Sequence, residues 1–269
     1  MRDLRTLAGK ANHIAGVLYT WRPFLQELWA ALYNTNQDTQ APLNCVWTKQ
    51  IMHTLTWILA FLTQQAGALR RVYTLDAYLG RGDRISVKLD ASPWGLGGIL
   101  LINGLATAWF ACPLCAFDYE VFGHEQGSSS GQQTWECLAV LVALRLWADE
   151  WLKERMVLEV RADSVAALTM AMCMKVSGKG PGMVSRELAL LLGEAAFRPT
   201  VFSHIPGIAN VTADGLSRRF EPGKPFAVPE GLRRVPESHP PDRTPSWVLS
   251  LGQGPAAPQS RRDRGDRQT

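Results

Sequence analysis

The chain has no run of about 18 uninterrupted apolar residues, the least that a membrane-spanning helix needs. Its start, MRDLRTLAGK, carries no apolar core of the kind a secretory signal has. Its five cysteines make no disulfide framework, because the number is odd and only Cys112 and Cys115 lie close together. That usage suits a reducing compartment. The lone CPLC, even with His124 as a distant third ligand, argues against a zinc site, because structural zinc sites show four ligands and no second pair completes the set. Charge of one sign is lacking too: 28 Lys/Arg against 24 Asp/Glu leave +4, too little to name a partner. These absences predict a soluble, unsecreted protein with no membrane partner, intracellular and either cytoplasmic or nuclear.

A chain of 269 residues with 46% hydrophobic content can build one large domain or two smaller ones. Its charge is placed unevenly. Residues 1–71 carry seven Lys/Arg against three Asp/Glu, residues 72–219 thirteen against fifteen, and residues 220–269 eight against six. A basic N-terminal part beside a slightly acidic centre suits a polyanion held by one part and processed by carboxylates of the other.

The stretch ISVKLDASPWGLGGILLI, residues 85–102, predicts a hairpin. Ile85, Val87 and Leu89 alternate with Ser86, Lys88 and Asp90, and a second apolar run follows Gly95, Gly97 and Gly98. Aspartate packs poorly on a pleated surface, so Asp90 stands where strand propensity argues against it. Such local conflicts gather at functional sites, although an Asp that starts a turn through Ser92 and Pro93 is the plainer explanation for this residue taken alone.

Around that hairpin the rest falls into order. Two helices are predicted within residues 3–33 and a third in VWTKQIMHTLTWILAFLTQQ, with Trp21, Trp29, Trp47 and Trp57 on apolar stripes that read as core. A third strand, LATAWFAC, is followed by an exposed irregular loop over 113–133. The helix from Thr134 to about Lys153 is apolar on nearly every side and therefore buried against a sheet. MVLEVRA and PTVFSHI read as the fourth and fifth strands, separated by two helices, and NVTADGLSRR as a last short helix capped by Asn210. The expected fold class is α/β, a mixed five-stranded sheet flanked by helices and preceded by a small helical subdomain. The expected division is 1–71 helical, 72–219 sheet domain, and 220–269 a tail, rich in proline and arginine, that is largely disordered or loosely draped.

Glu136, Asp163 and Asp214 each have an ordinary explanation: a glutamate in a helix's first turn, a helix cap, an exposed helical acid. A mixed sheet brings the first strand, the end of the fourth and the flanking helix starts to one edge, and four carboxylates gathered there repel one another unless cations neutralise them. Hard oxygen donors suit Mg2+ or Mn2+.

The same residues carry a family resemblance. Asp90, Glu136, Asp163 and Asp214, in the settings VKLDASPWGLGG, TWECLAVLVALRLW, VRADSVAAL and HIPGIANVTADGLSRR, resemble the ribonuclease H domain of retrotransposon reverse transcriptases, and the closing HIPGxxNxxADxLSR is the most specific of these. The resemblance covers about residues 85–219. Upstream, LRTLAGKANHIAGVLYTWRPFLQELWAAL is similar to the helical thumb or connection segment that follows the polymerase palm in gypsy-like and tyrosine-recombinase-type elements. The palm's paired-aspartate motif is missing, since YTLDAYLG offers a single Asp.

The resemblance implies a ribonuclease H-like fold and hydrolysis of the RNA strand of an RNA·DNA hybrid with two Mg2+ or Mn2+ ions. Asp90 would bridge both ions, Glu136 and Asp163 would hold the leaving-group ion, and Asp214 the ion that activates water. Asn210, Ser92 and His204 fall on the substrate side, with Asn210 positioning the last helix or the substrate and His204 alternatively supporting its turn. Glu120 and Glu125 are the poorer candidates for the second carboxylate. A polymerase domain in cis or trans is the implied protein partner. A catalytically silent hybrid-binding module and a DDE-type transposase or integrase remain as alternatives; in the latter the glutamate comes last in sequence, whereas here it comes second.

Overall fold

The computed structural model describes residues 1–34, 41–66, 69, 75–152, 156–195 and 201–248. The expected boundary at residues 71 and 72, and the run RRDRGDR near the end, lie outside the described residues. The chain opens with helices α1 (Arg2–Val17), α2 (Arg22–Leu32), α3 (Thr48–Leu62) and the short α4 (Leu75–Tyr78). Strands β1 (Asp83–Ala91), β2 (Gly95–Ile102) and β3 (Leu105–Pro113) follow, then α5 (Ala116–Phe122), α6 (Gln132–Leu146) and α7 (Ala148–Trp151). The last elements are β4 (Met156–Ala162), α8 (Val165–Cys173), α9 (Lys179–Ala195), β5 (Val201–His204) and α10 (Val211–Ser217).

The strands form one sheet in the order β3-β2-β1-β4-β5. β2 runs antiparallel to both β1 and β3, while β4 lies parallel to both β1 and β5. Hairpins joined by short turns give the first half, and helical crossovers give the parallel half. This is the mixed five-stranded sheet flanked by helices that the sequence leads one to expect.

The period of two in β1 sorts its side chains. Ile85, Val87 and Leu89 point into the main core, and Ser86, Lys88 and Asp90 face the other way. On that second face Ser86 Oγ donates to Glu159 Oε2, which also accepts from Arg84 and Arg161. α6 fills the space on the core face. Every residue from Thr134 to Leu144 is buried, because the helix packs on β1 and β2 below and on α8 and α9 beside it. α2 and the Tyr19–Trp21 turn pack on α9, so Phe24, Leu28 and Trp57 belong to the same hydrophobic cluster as the sheet. Trp21 and Trp57 are core as expected, whereas Trp47 is 52% exposed.

The structure departs from the sequence reading in several places. The turn of the first hairpin is Ser92–Trp94, and Gly95, Gly97 and Gly98 are strand residues. A side chain on Gly97 would meet Leu216 Cβ and Ser217 N at 2.7 Å, so the glycine lets the α10 backbone lie directly on β2. The segment 113–133 is no open loop: it holds α5, whose Asp118 is buried and accepts from Cys115 N at its N-terminus.

The tail expectation fails over residues 220–248. Phe226, Val228, Leu232 and Val235 cover Ile99, Trp109 and Ala111 on the outer face of β2 and β3. Arg243, only 7% exposed, reaches back to Asp118 through Nε and Nη2. The surroundings of CPLC do not suit zinc. Arg243 Nη1 lies 3.6 Å from Cys112 Sγ, His124 is held by Thr134, and neither cysteine joins a metal-competent cluster among the described residues. A guanidinium beside the sulfur occupies the place a cation would need.

Candidate active site

Parallel pairing brings the carboxyl ends of β1 and β4 side by side, the edge at which open α/β sheets present their functional groups. Asp90 stands near the end of β1, and Asp163 follows the last residue of β4. Glu136 descends onto the same edge from the second turn of α6, which starts two residues earlier than expected, at Gln132. One carboxylate oxygen from each of Asp90, Glu136 and Asp163 lies within 4.8 Å of the others. The sequence proposed these three together, and the fold brings them together.

Their surroundings bear the mark of crowded negative charge. Burial first, then repulsion from Asp163 and Asp214, pushes the Asp90 carboxyl up to about 7, against the opposing hydrogen bond from Ser217. Burial, and then the adjacent Asp90, pushes Glu136 up to about 8. Ser217 Oγ donates to Asp90 Oδ2 at 2.5 Å. Gln132 Nε2 donates to Glu136 Oε1 at 2.6 Å and lies 2.7 Å from the Ala91 carbonyl. Asp163 Oδ1 is buried with no hydrogen-bond partner. A buried oxygen without a partner, next to two carboxyls that resist ionising, fits the donor set of a hard cation, and all-oxygen chemistry suits Mg2+ or Mn2+.

Asp214 takes a different position. It sits on α10 close enough to raise both Asp90 and Glu136 electrostatically, yet it lies outside the tight group of three and pairs with Arg218 Nε at 2.7 Å. Its side chain is 43% exposed. It flanks the cluster from the solvent side.

The remaining expected residues divide. Asn210 makes no cap bond to its own helix; its Nδ2 donates to the Leu89 carbonyl, tying the start of α10 to the strand residue before Asp90. Ser92 is buried, its Oγ accepting from Trp94 N and Gly95 N and donating to the Ser217 carbonyl, so it holds the turn against α10 and does not face a ligand. His204 is exposed at the end of β5, and its Nε2 lies 3.1 Å from the Asp163 carbonyl, where it supports the turn. Neither Glu120 nor Glu125 joins the cluster. Sequence reasoning missed Ser217 and Gln132. Ser217 belongs to the ADGLSRR stretch and was within reach of that motif; Gln132 stands four residues before Glu136, at the helical spacing that places two side chains together.

No known protein-family model matches the chain, and no curated protein matches it. Among solved structures it is similar to the RNase H1 of the halophilic archaeon Halobacterium salinarum NRC-1, at 20% identity over 49% of this chain and 93% of that one, with a TM-score of 0.37. A second is LC11-RNase H1 in complex with an RNA/DNA hybrid, at 20% identity over 50% of this chain and 92% of the other, with a TM-score of 0.36. A third is the foamy viral protease-reverse transcriptase in complex with double-stranded DNA. It shares 13% identity over 74% of this chain, which spans 34% of that longer one, with a TM-score of 0.31.

Proposed function

We propose that the chain is a metal-dependent ribonuclease H that hydrolyses the RNA strand of RNA·DNA hybrids. The observation that carries this reading is the convergence of Asp90, Glu136 and Asp163 within 4.8 Å at the carboxyl edge of β1 and β4, in the residue order of the retroelement ribonuclease H motifs. In this reading residues 1–71 form the helical thumb or connection-like unit and 72–219 the ribonuclease H-like domain. The chain would be the C-terminal part of a retroelement reverse transcriptase, with a polymerase domain in cis or trans as its partner.

Two bound Mg2+ or Mn2+ ions would supply the Lewis acidity that activates water and stabilises the leaving oxygen at phosphorus. Asp90, Glu136 and Asp163 would hold one ion, and Asp90 with Asp214 the other. The protein's own part is to hold these oxygens still. Ser217 and Gln132 fix one oxygen each on Asp90 and Glu136. Asn210 sets the start of α10 against β1, so that Asp214 keeps its place on the rim.

The direct test offers purified protein a labelled RNA·DNA hybrid with magnesium, beside single-stranded RNA and duplex DNA. Cleavage restricted to RNA in the hybrid, and abolished by chelation, is expected. Cleavage that survives chelation sinks the metal reading, and hybrid binding without cleavage under any divalent ion favours the silent module.

A further inference from the structure

Two hollows with shared lining residues lie on the protein surface, and the inner one is lined from α6 and α8, the helices that begin at the carboxylate cluster. Gln133, next in sequence to the Gln132 that holds Glu136, and Ala166, three residues beyond Asp163, line the inner hollow together with Thr169 and Ser177. The outer hollow is lined by Asn12, Arg22 and Trp29 of the N-terminal helices, with Met174 opposite. Gln26 and Lys175 line both, so the two hollows adjoin at these residues and together make a composite crevice.

Its walls are tied to each other. Arg22 Nη1 donates to the Cys173 carbonyl at the end of α8, and its Nε to the Ala15 carbonyl near the end of α1. Gln26 Nε2 donates to the Val176 carbonyl in the connection between α8 and α9. Met174, in the left-handed conformation at φ +54°, ends α8 and starts that connection. Lys175, the next residue, is exposed and has no ion pair with a described residue.

The chemistry of this crevice is the reverse of its neighbour's. The cluster is built of carboxyl groups, whereas the crevice lining holds two cations, several amide and hydroxyl donors, and no carboxylate. Neutral donors interspersed with Arg and Lys are the groups that hold phosphates without reading sequence. We propose that this crevice carries the phosphodiester backbone of the substrate duplex beyond the position of cleavage, an inference that rests on the hybrid as substrate. Because Arg22 and Gln26 come from α2 and Lys175 from the α8–α9 connection, the track is composite. The N-terminal helices contribute one wall of it rather than a binding surface of their own.

The test uses the full chain and its Lys175→Glu, Lys175→Ala and Gln26→Ala variants. Affinity for a labelled hybrid of about 20 base pairs is measured by fluorescence anisotropy in chelator, across a salt titration, with circular dichroism as the folding control. Lys175→Glu should weaken binding about tenfold, and Lys175→Ala should make the log–log salt slope shallower by about 0.9, the value of one phosphate contact. A hybrid of about six base pairs, too short to leave the cleavage position, should bind all four proteins alike. Folded Lys175 variants with wild-type affinity and slope on the long hybrid overturn the track even if the protein cleaves. A wild type that never cleaves, yet binds in a Lys175-dependent way, overturns the nuclease reading and leaves the track standing.

Discussion

The Ser217 hydroxyl donates to Asp90 Oδ2 over 2.5 Å, joining two residues that lie 127 positions apart in the chain. Ser217 is fully buried, so no water replaces it if the hydroxyl is removed. Its contact opposes the effects of burial and of neighbouring carboxylates, all of which favour the protonated form of Asp90. Ser217→Ala should therefore leave a folded protein that binds Mg2+ more weakly in calorimetry. The acidic limb of its pH–rate profile should move to higher pH, and turnover near neutrality should fall about tenfold, in line with the ~1.5–3 kcal/mol of a hydrogen bond to a charged group. Ser217→Thr should recover part of the loss. An unmoved pH profile and unchanged metal affinity would remove Ser217 from the site.

The raised carboxyls set a pH dependence for the metal-free protein. Asp90 and Glu136 titrate near 7 and 8 when folded, against ordinary values of 3.8 and 4.5. The folded state thus holds more protons than the unfolded one across that window, and stability falls as pH rises through it. The metal-free melting temperature should decline from about pH 5 to pH 8, and divalent metal should flatten the decline. Asp90→Asn should show a smaller decline, a metal-free melting temperature at pH 8 no lower than wild type, little stabilisation by metal and no cleavage. A melting temperature that climbs with pH over this range contradicts the crowding.

Gly97 marks where helix meets strand. An added Cβ would lie 2.7 Å from Leu216 Cβ and from Ser217 N, and 2.8 Å from the Ala213 carbonyl, all of α10. Gly97→Ala should force that helix off β2, costing about 1–3 kcal/mol in urea denaturation. Because α10 carries Ser217 and Asp214, activity should drop further than the folded fraction does. Proportional losses of the two would show that α10 serves stability alone.

Arg243 and Asp118 form a buried ion pair that fixes the end of the segment 220–248, the strap that covers the outer face of β2 and β3. Arg243→Met leaves Asp118 buried without its partner, a change worth about 3–5 kcal/mol, whereas Asp118→Asn combined with Arg243→Met should recover much of it. Ending the chain at Arg219 should be worse than either, because the apolar face of Ile99, Trp109 and Ala111 then meets water. A shortened chain as stable and soluble as the full one would show the strap to be dispensable.

Much of the sheet was legible because its signals are local. The alternation in β1, the all-round apolar α6 and the misplaced Asp90 follow from residue order alone, and the motif settings put Glu136 and Asp163 beside it. What failed depends on long-range partners. Gly95, Gly97 and Gly98 look like turn residues until α10 is seen lying on Gly95 and Gly97, and the Phe110 ring on Gly98. The stretch 220–248 looks unstructured because its prolines and charges dilute four apolar residues spaced too irregularly for any helix or strand period. They become core only through strands made more than a hundred residues earlier. Asp118 resembles a loop acid for the same reason: its partner is 125 positions away. Asp214 is expected as an equal fourth member, although Arg218, four residues on at helical spacing, is a local competitor for it.

The position of the strap also orders the birth of the molecule on the ribosome. Every residue of the carboxylate cluster, and Asp214 on its rim, is already translated when Leu232 and Arg243 have yet to emerge. At that stage the outer face of β2 and β3 has strand neighbours but no cover, and the buried partner of Asp118 does not yet exist. A nascent chain in this interval presents sticky surface of the kind chaperones recognise. Translation pauses placed after residue 220 should therefore raise misfolding more than pauses placed after residue 248, when the cover is available to close.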